Sequence, residues 1–215
     1  MDRLVALLWL WMLFFAVNAL WALAQAAIAS SLGARPVLVD LGLGPALVSG
    51  RLGGIVWSFR PIALASAVGF DEATEDAPKR NRLAQLSLPL HAAIILLPWA
   101  VPVAIAMACL GASEGLHQFV HGFSVPFELS ALPGRVERFL ALLQQGELLR
   151  AWGLMSAKVA AINLLPLPIL AGGQVLLLPW RNRYPVWAGL LNLVSVLAAV
   201  PWALYVAYLV LTTVF

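Results

Sequence analysis

Four long runs of apolar residues, almost free of charge, constrain this chain more than any other feature. They cover about residues 4–30, 86–110, 152–180 and 186–214. Each is long enough to cross a bilayer as a helix, which takes about 20 residues. Of the 215 residues 62% are hydrophobic and 11% are charged, and a soluble domain of this length has too little interior for so much apolar surface. The sequence therefore predicts one polytopic membrane domain, residues 1–215, with about four transmembrane helices.

The segment between the first two runs, residues 36–70, breaks the helical period. Residues 37–41 and 55–59 are rich in aliphatic and aromatic side chains, as strands are, and a turn containing Gly53 and Gly54 lies between them. This pattern predicts a small membrane-associated β-hairpin in an otherwise all-α protein. The polar residues 71–85 are expected to form a solvated loop.

The third run contains an irregular stretch over residues 161–173. Pro166 and Pro168 would break a helix there, and irregular backbone in a membrane is tolerated only where protein or water satisfies the freed groups. Asn163 is the polar side chain at the break. Lys158 lies just before it, and the cost of its charge requires that it either snorkels or faces a cavity or partner. The break is therefore predicted to be a binding site.

The same stretch carries a resemblance to a known family. Residues 163–173, read as NLLPLPILAGG, resemble the N-x-x-P-x-P-x-L-D-G-G signature of the site-2 proteases, which are intramembrane zinc metallopeptidases. In that family the Asp of the signature ligates zinc, and its position here is Ala171. Counting back from Gly33 and residues 42–45, which resemble a second family landmark, places the family's H-E-x-x-H motif on residues 21–25.

The residues at those motif positions lack the family's chemistry. Trp21, Ala22 and Gln25 stand where the resemblance implies the first His, the Glu and the second His. Ala171 replaces the Asp, and a methyl group cannot ligate zinc. The resemblance therefore implies a catalytically inactive member that keeps the scaffold, and no zinc or other cofactor is expected.

The resemblance also implies where a partner or peptide binds. In the family, the Asn of the signature helps to organise the site and the substrate backbone, and a hairpin edge can pair with an extended substrate. Asn163 has a second interpretation, in which its side chain only satisfies carbonyls freed by the prolines. The hairpin also has a second interpretation, in which it only closes the membrane face and binds no substrate. The candidate binding residues are Lys158, Asn163, Pro166, Pro168, Arg60, Ile62 and Leu64.

Three histidines are the remaining candidates for metal ligands. His117 and His121 lie four residues apart in HQFVH, which is H-E-x-x-H with Gln in place of Glu, and Gln cannot act as a base. His91 lies at the entrance of the second run. We favour interfacial histidines without a metal, and a metal site at these residues is the alternative. The single cysteine, Cys109, excludes an internal disulfide.

The connection between the second and third runs, residues 111–153, is too short for the PDZ domain that many family members insert there. Its second half predicts an interfacial amphipathic helix over residues 133–150, lying on the membrane or on a partner. The apolar residues at near-helical spacing are Val136, Phe139, Leu140, Leu143 and Leu148.

The distribution of Lys and Arg predicts the orientation in the membrane. The loops after the first and third runs hold eight of these residues, whereas the amino-terminal end and the second loop hold four. The positive-inside rule then places the hairpin loop in the cytoplasm and both termini outside, in what we expect to be a bacterial inner membrane. The net charge of +3 is small and dispersed, so no nucleic-acid partner is expected.

The favoured hypothesis is thus a catalytically inactive, site-2-protease-like scaffold or binding subunit in the lipid bilayer. Its partner would be another integral membrane protein or a membrane complex. One alternative is an active intramembrane metallopeptidase with non-standard ligands from His91, His117 and His121. The other is a transporter or channel component whose pathway is lined by Lys158 and Asn163.

Overall fold

The computed structural model describes residues 3–70, 83, 86–181 and 183–214. Within this part of the chain, three helices are long and apolar enough to cross a membrane. They cover Leu4–Ser31, Leu88–Leu110 and Val186–Val214. The protein is therefore membrane-integral, as its composition predicted. The solvated loop predicted for residues 71–85 lies outside the described residues except for Leu83.

The first two candidate spans differ in regularity. Helix α1 covers Arg3–Ser31 without interruption. The second span consists of α2 (Leu88–Leu96), a 3₁₀ turn (Leu97–Trp99) and α3 (Ala100–Leu110). Pro98 has no backbone N–H to donate, and the chain tightens to a 3₁₀ turn where that helical hydrogen bond is missing.

The prediction of about four transmembrane helices is corrected to three continuous ones. The third apolar run forms two shorter helices, α6 (Leu148–Asn163, 16 residues) and α7 (Ala171–Arg181, 11 residues), with residues 164–170 between them. Each helix is shorter than the roughly 17–25 residues that a spanning helix needs. The last helix, α8, covers Pro185–Val214.

The all-α prediction with a small hairpin is wrong, because the segment between α1 and α2 forms a four-stranded mixed sheet. The strand order is β2-β3-β1-β4. Strand β1 pairs parallel with β3 and antiparallel with β4, and β2 pairs antiparallel with β3. The strands are β1 (Leu38–Leu43), β2 (Val48–Leu52), β3 (Ile55–Phe59) and β4 (Ile62–Gly69).

The hairpin within this sheet is not the predicted one. The two predicted strands, residues 37–41 and 55–59, correspond to β1 and β3, which run parallel and therefore cannot form a hairpin. The hairpin joins β2 to β3 through Gly53 and Gly54, with φ of 60° and 83°. Two central residues with positive φ are typical of the tight hairpin turn whose twist matches the strands, and glycine adopts them without strain.

The pairing of β1 with β4 contains an irregularity at Gly42. The register shifts between Leu41, opposite Ser66, and Leu43, opposite Ile62. Gly42 has φ of 99°, and a Cβ at this position would overlap the carbonyl oxygen of Arg60. Only glycine fits such a close approach, so Gly42 allows the bulge that bends β4 against β1.

One amide on α1 holds β4 to the helix. Asn18 is buried, and its Nδ2 donates to the carbonyl oxygen of Ala63 at 3.1 Å and to that of Phe14 at 3.0 Å. Ala63 lies in the part of β4 where the register with β1 shifts, between Ile62 and Ser66. Both N–H groups of the Asn18 amide, which lies among apolar residues of the helix, therefore have an acceptor.

The chain divides into two compact units, and residues 14–101 form one of them. Within it the sheet packs on the second half of α1, where Ala22 and Ala26 form a buried cluster with Val39. Phe15 meets Phe59 edge-on, with ring centroids 5.2 Å apart. Small alanines on α1 let the sheet approach the helix closely.

The other unit consists of the residues up to 13 and those from 102 onward. It contains α3, α4 (Ala112–Gly122), α5 (Leu132–Gln145) and α6 to α8. The predicted amphipathic helix corresponds to α5, but it ends at Gly146, whose φ is 81°. Its residues Leu140 and Leu143 are buried against Ala6, Leu13 and other residues of this unit, so the apolar face packs inside the protein.

We expect Asn18→Leu to lower the free energy of unfolding by about 1–2 kcal/mol, because the carbonyl of Ala63 would stay buried without a donor. Thermal unfolding in detergent, followed by circular dichroism, measures this. The matched control is Asn192→Leu, since Asn192 is exposed on α8. Equal stability of the two variants would show that the Asn18 bond does not hold the sheet.

Candidate functional site

The break between α6 and α7 contains the two prolines that predicted it. Pro166 and Pro168 have no N–H, and the backbone leaves the helix after Asn163. The N–H of Leu165 donates to the carbonyl of Ile162 at 3.1 Å, and the N–H of Leu170 to that of Leu167 at 2.7 Å. The first of these bonds satisfies the Ile162 carbonyl, to which Pro166 cannot donate, and the second closes a short turn before α7.

The glycine pair after the break has a steric role. A Cβ on Gly172 would overlap the carbonyl oxygen of Leu164, and one on Gly173 would overlap that of Leu167. The loop therefore folds directly onto the first turn of α7, where only hydrogen atoms fit. The signature-like spacing of prolines and glycines is explained by this local packing.

The polar residue of the break bonds within its own helix. Asn163 Nδ2 donates to the carbonyl oxygen of Val159 at 2.9 Å, which is not a carbonyl that the prolines free. Pro166 and Leu167 are exposed, Pro168 is half-buried and Ala171 is buried at the start of α7. The loop presents an apolar surface, and the position that resembles a zinc ligand is a buried methyl group.

Lys158 has a partner inside the protein. Its Nζ donates to the carbonyl oxygen of Gln118 at 2.8 Å, so the ammonium lies at the last turn of α4. Carbonyl groups at the end of a helix carry partial negative charge, which favours a cation there. A Cβ on Gly122 would come within 2.5 Å of the Ala161 Cβ, so α4 and α6 are also in close contact. Lys158 therefore ties α6 to α4.

The three degenerate positions on α1 are occupied by packing residues. Trp21 stacks on Trp99 with ring centroids 5.2 Å apart. Ala22 is fully buried in the cluster with Val39, and Gln25 is half-buried. The side chains of Trp21 and Ala22 contribute no ligand to a metal, and both support the contact between α1 and its neighbours.

The candidate residues at the sheet edge divide into two groups. Arg60 Nη2 donates to Asp40 Oδ2 at 3.1 Å, and Nη1 donates to the carbonyl of Gly44. Arg60 is thus used to hold β1 to the turn before β4. Ile62 and Leu64, by contrast, are 47% and 63% exposed on β4, the outermost strand of the described sheet on that side.

The structure places the histidines on two different elements. His91 lies on α2, whereas His117 and His121 are both exposed on α4, with ring centroids 6.2 Å apart. Among the described residues, no group of three or more His, Cys, Asp or Glu side chains could hold a metal ion. A three-ligand zinc site of the kind that hydrolytic enzymes use is therefore not formed by this part of the chain.

An ionised group lies close to this pair. Hydrogen bonding with Ser124 lowers the pKa of the Glu128 carboxyl, and the charges of Arg135 and His121 lower it further. Glu128 also forms an ion pair with Arg135 on α5. The carboxylate therefore stays charged near His121 at neutral pH.

The two units divide the candidate residues between them. The unit of residues 14–101 brings together α1 and the sheet, and the other brings together α4, α6 and the proline-containing loop. The first contains Trp21, Ala22, Gln25, Arg60, Ile62, Leu64 and His91. The second contains His117, His121, Lys158, Asn163, Pro166, Pro168 and Ala171.

Sequence reasoning missed two interactions that shape the sheet edge. One is the bond from Asn18 to Ala63, for which the signal was a polar amide in the middle of an apolar run. The other is the pair of Asp40 and Arg60, which are 20 residues apart, and no local pattern links such residues.

Comparison of the chain with models of known families and with curated proteins gave no match. The resemblance to the site-2 proteases therefore stays a prediction that depends on the motif residues.

We expect Gly173→Ala to lower the free energy of unfolding by about 1–3 kcal/mol, because the added methyl group would overlap the Leu167 carbonyl. Gly189→Ala is the control, since a Cβ there meets nothing within 4 Å. Alanine favours helix, so this control should be unchanged or more stable by up to about 1 kcal/mol. Thermal unfolding in detergent compares them, and an unaffected Gly173→Ala protein would contradict the packing of the loop on α7.

Proposed function

We propose that the protein is a non-catalytic membrane scaffold that binds an extended segment of another integral membrane protein at strand β4. The observation that carries this proposal is the uncharged, outward-facing edge of the sheet. On this proposal, the resemblance to site-2 proteases reflects a scaffold that kept its peptide-binding sheet edge and lost the residues of the catalytic centre.

The edge at β4 has the properties of a surface that accepts a further strand. It is eight residues long and contains neither a charged residue nor a proline. Soluble and membrane proteins usually protect a free edge with Lys, Pro or a very short strand. An extended peptide could add main-chain hydrogen bonds there, with Ile62 and Leu64 contacting alternate side chains of the peptide.

The opposite edge lacks these properties. Strand β2 is five residues long, and Arg51 lies next to its last residue. A charge on an edge strand disfavours pairing with a second strand. The proposal therefore assigns binding to β4 and not to β2, although both strands are exposed.

The side chains at the motif positions support a non-catalytic role. Trp21 is half-buried, Ala22 is fully buried, and Ala171 is a buried methyl group. None of the three has an atom that can ligate zinc or accept a proton, whereas metallopeptidase chemistry needs both.

We also propose that the protein lies in a bacterial inner membrane with the sheet in the cytoplasm and both ends of the chain outside. The excess of Lys and Arg in the first and third loops supports this orientation. Ends on the same side require an even number of crossings. The segment of α6, residues 164–170 and α7 would then cross as a fourth, broken span.

Photo-crosslinking tests the binding edge. A photoreactive residue at position 64 should form an adduct with one membrane protein in native membranes, and the adduct should map to one extended segment of it. The same residue at position 52, on β2, is the control, since Leu52 is 74% exposed. Leu64→Lys should reduce recovery of the partner about tenfold, whereas Leu52→Lys should not, because a charge at the pairing edge opposes strand addition.

Two outcomes would contradict binding at β4. One is an adduct of equal yield from both positions, which would indicate non-specific contact. The other is an adduct with lipid alone from position 64, which would make the edge a lipid-facing surface.

Cysteine accessibility tests the proposed orientation. Cys109→Ser first removes the native cysteine, and single cysteines are then introduced at Arg51 and near each end of the chain. Each variant is labelled in intact cells with a maleimide that does not cross the membrane. We expect both ends to react and position 51 to react only after the cells are opened. If the two ends lie on opposite sides of the membrane, the chain crosses it three times, and the segment of α6, residues 164–170 and α7 does not cross it.

A further inference from the structure

Helix α4 presents two imidazoles that the proposed binding function does not use. His117 and His121 are both exposed, and their ring centroids lie 6.2 Å apart with an angle of 55° between the rings. Neither ring forms a hydrogen bond with a described residue. Side chains four residues apart on a helix lie on the same face, one turn from each other.

Helix α4, which carries the two imidazoles, packs against α3 and α6 on the face away from them. A Cβ on Gly115 would lie 2.6 Å from the Met107 Cα, so α4 packs directly on α3. The bond from Lys158 to the Gln118 carbonyl ties the same turn to α6. The backbone positions of His117 and His121 are therefore fixed before any ligand binds, and binding has only the rotations of the two side chains to restrict.

The carboxylates near this face are engaged elsewhere. Glu114 Oε1 accepts a hydrogen bond from Gln118 Nε2 at 2.7 Å, and Glu128 is paired with Arg135. In the described part of the chain the pair of imidazoles has no third ligand.

We propose that His117 and His121 form a bidentate site for a divalent late first-row transition metal, with water in the remaining coordination positions. Neutral imidazole nitrogens suit Cu²⁺, Ni²⁺ and Zn²⁺, whereas Mg²⁺ and Ca²⁺ prefer oxygen ligands. The affinity order expected for such a site is Cu²⁺, then Ni²⁺, then Zn²⁺.

The bound metal would stabilise the last turns of α4. It links two side chains one turn apart and so stabilises the turn that also accepts the bond from Lys158. Its proposed role is binding of the metal and stabilisation of the helix.

Equilibrium dialysis of the full chain in detergent, purified with an affinity tag free of histidine, tests the site with Ni²⁺ and Zn²⁺. We expect one metal ion per chain. His117→Ala and His121→Ala should each weaken binding by about 100-fold, because the chelate is lost. Metal should also raise the unfolding temperature of the wild-type protein but not that of either variant.

Two controls separate the chelate from histidine content. His91→Ala should bind as the wild type does. The double variant Phe119→His/His121→Phe keeps three histidines but places the two on α4 two residues apart, on different faces, and should lose binding. Stoichiometric binding that persists in both single variants, or no stoichiometric binding by the wild type, would overturn the proposal.

Discussion

The amide of Asn18 illustrates the constraint on which this fold depends, namely that backbone polar groups in apolar surroundings need partners from within the chain. At the bulge in β4 the partner of the Ala63 carbonyl is this side chain. At the proline-containing break, the N–H groups of Leu165 and Leu170 form short turns. At the end of α4, Lys158 meets a helix carbonyl. At these three places a side chain or a short turn provides the partner.

The sequence predicted the features that depend on local composition. Apolar length identified α1, the span of α2 and α3, and α8, and the prolines identified the break after α6. The sheet was largely missed for physical reasons. Strand β4, read as IALASAVG, is rich in alanine, which favours helix in isolation, and becomes a strand only through its pairing with β1. The parallel contact of β1 with β3 depends on β2 being inserted between them in the chain, which no short-range pattern shows.

The same distinction applies to the candidate site. Residue identity alone indicated that Trp21, Ala22 and Ala171 lack metal-binding atoms. It could not indicate that Lys158 bonds to Gln118, because that contact joins two helices 40 residues apart in sequence. Nor could it separate Arg60, which holds β1, from Ile62 and Leu64, which face outward on β4. Spacing limits which residues can act together, but packing decides which of them remain available for a partner.

The low burial of α8 has a consequence for how the sequence can vary. Only 6% of the most apolar window of α8 is buried inside the protein, against 22% for α1 and 33% for the span of α2 and α3. Because α8 packs against few side chains of the rest of the protein, selection acts on its total hydrophobicity and its length and not on the shapes of its side chains. Exchanges among Leu, Val, Ile and Phe should therefore accumulate in α8 during evolution much faster than in the other two spans. Its sequence should diverge first while its apolar character persists.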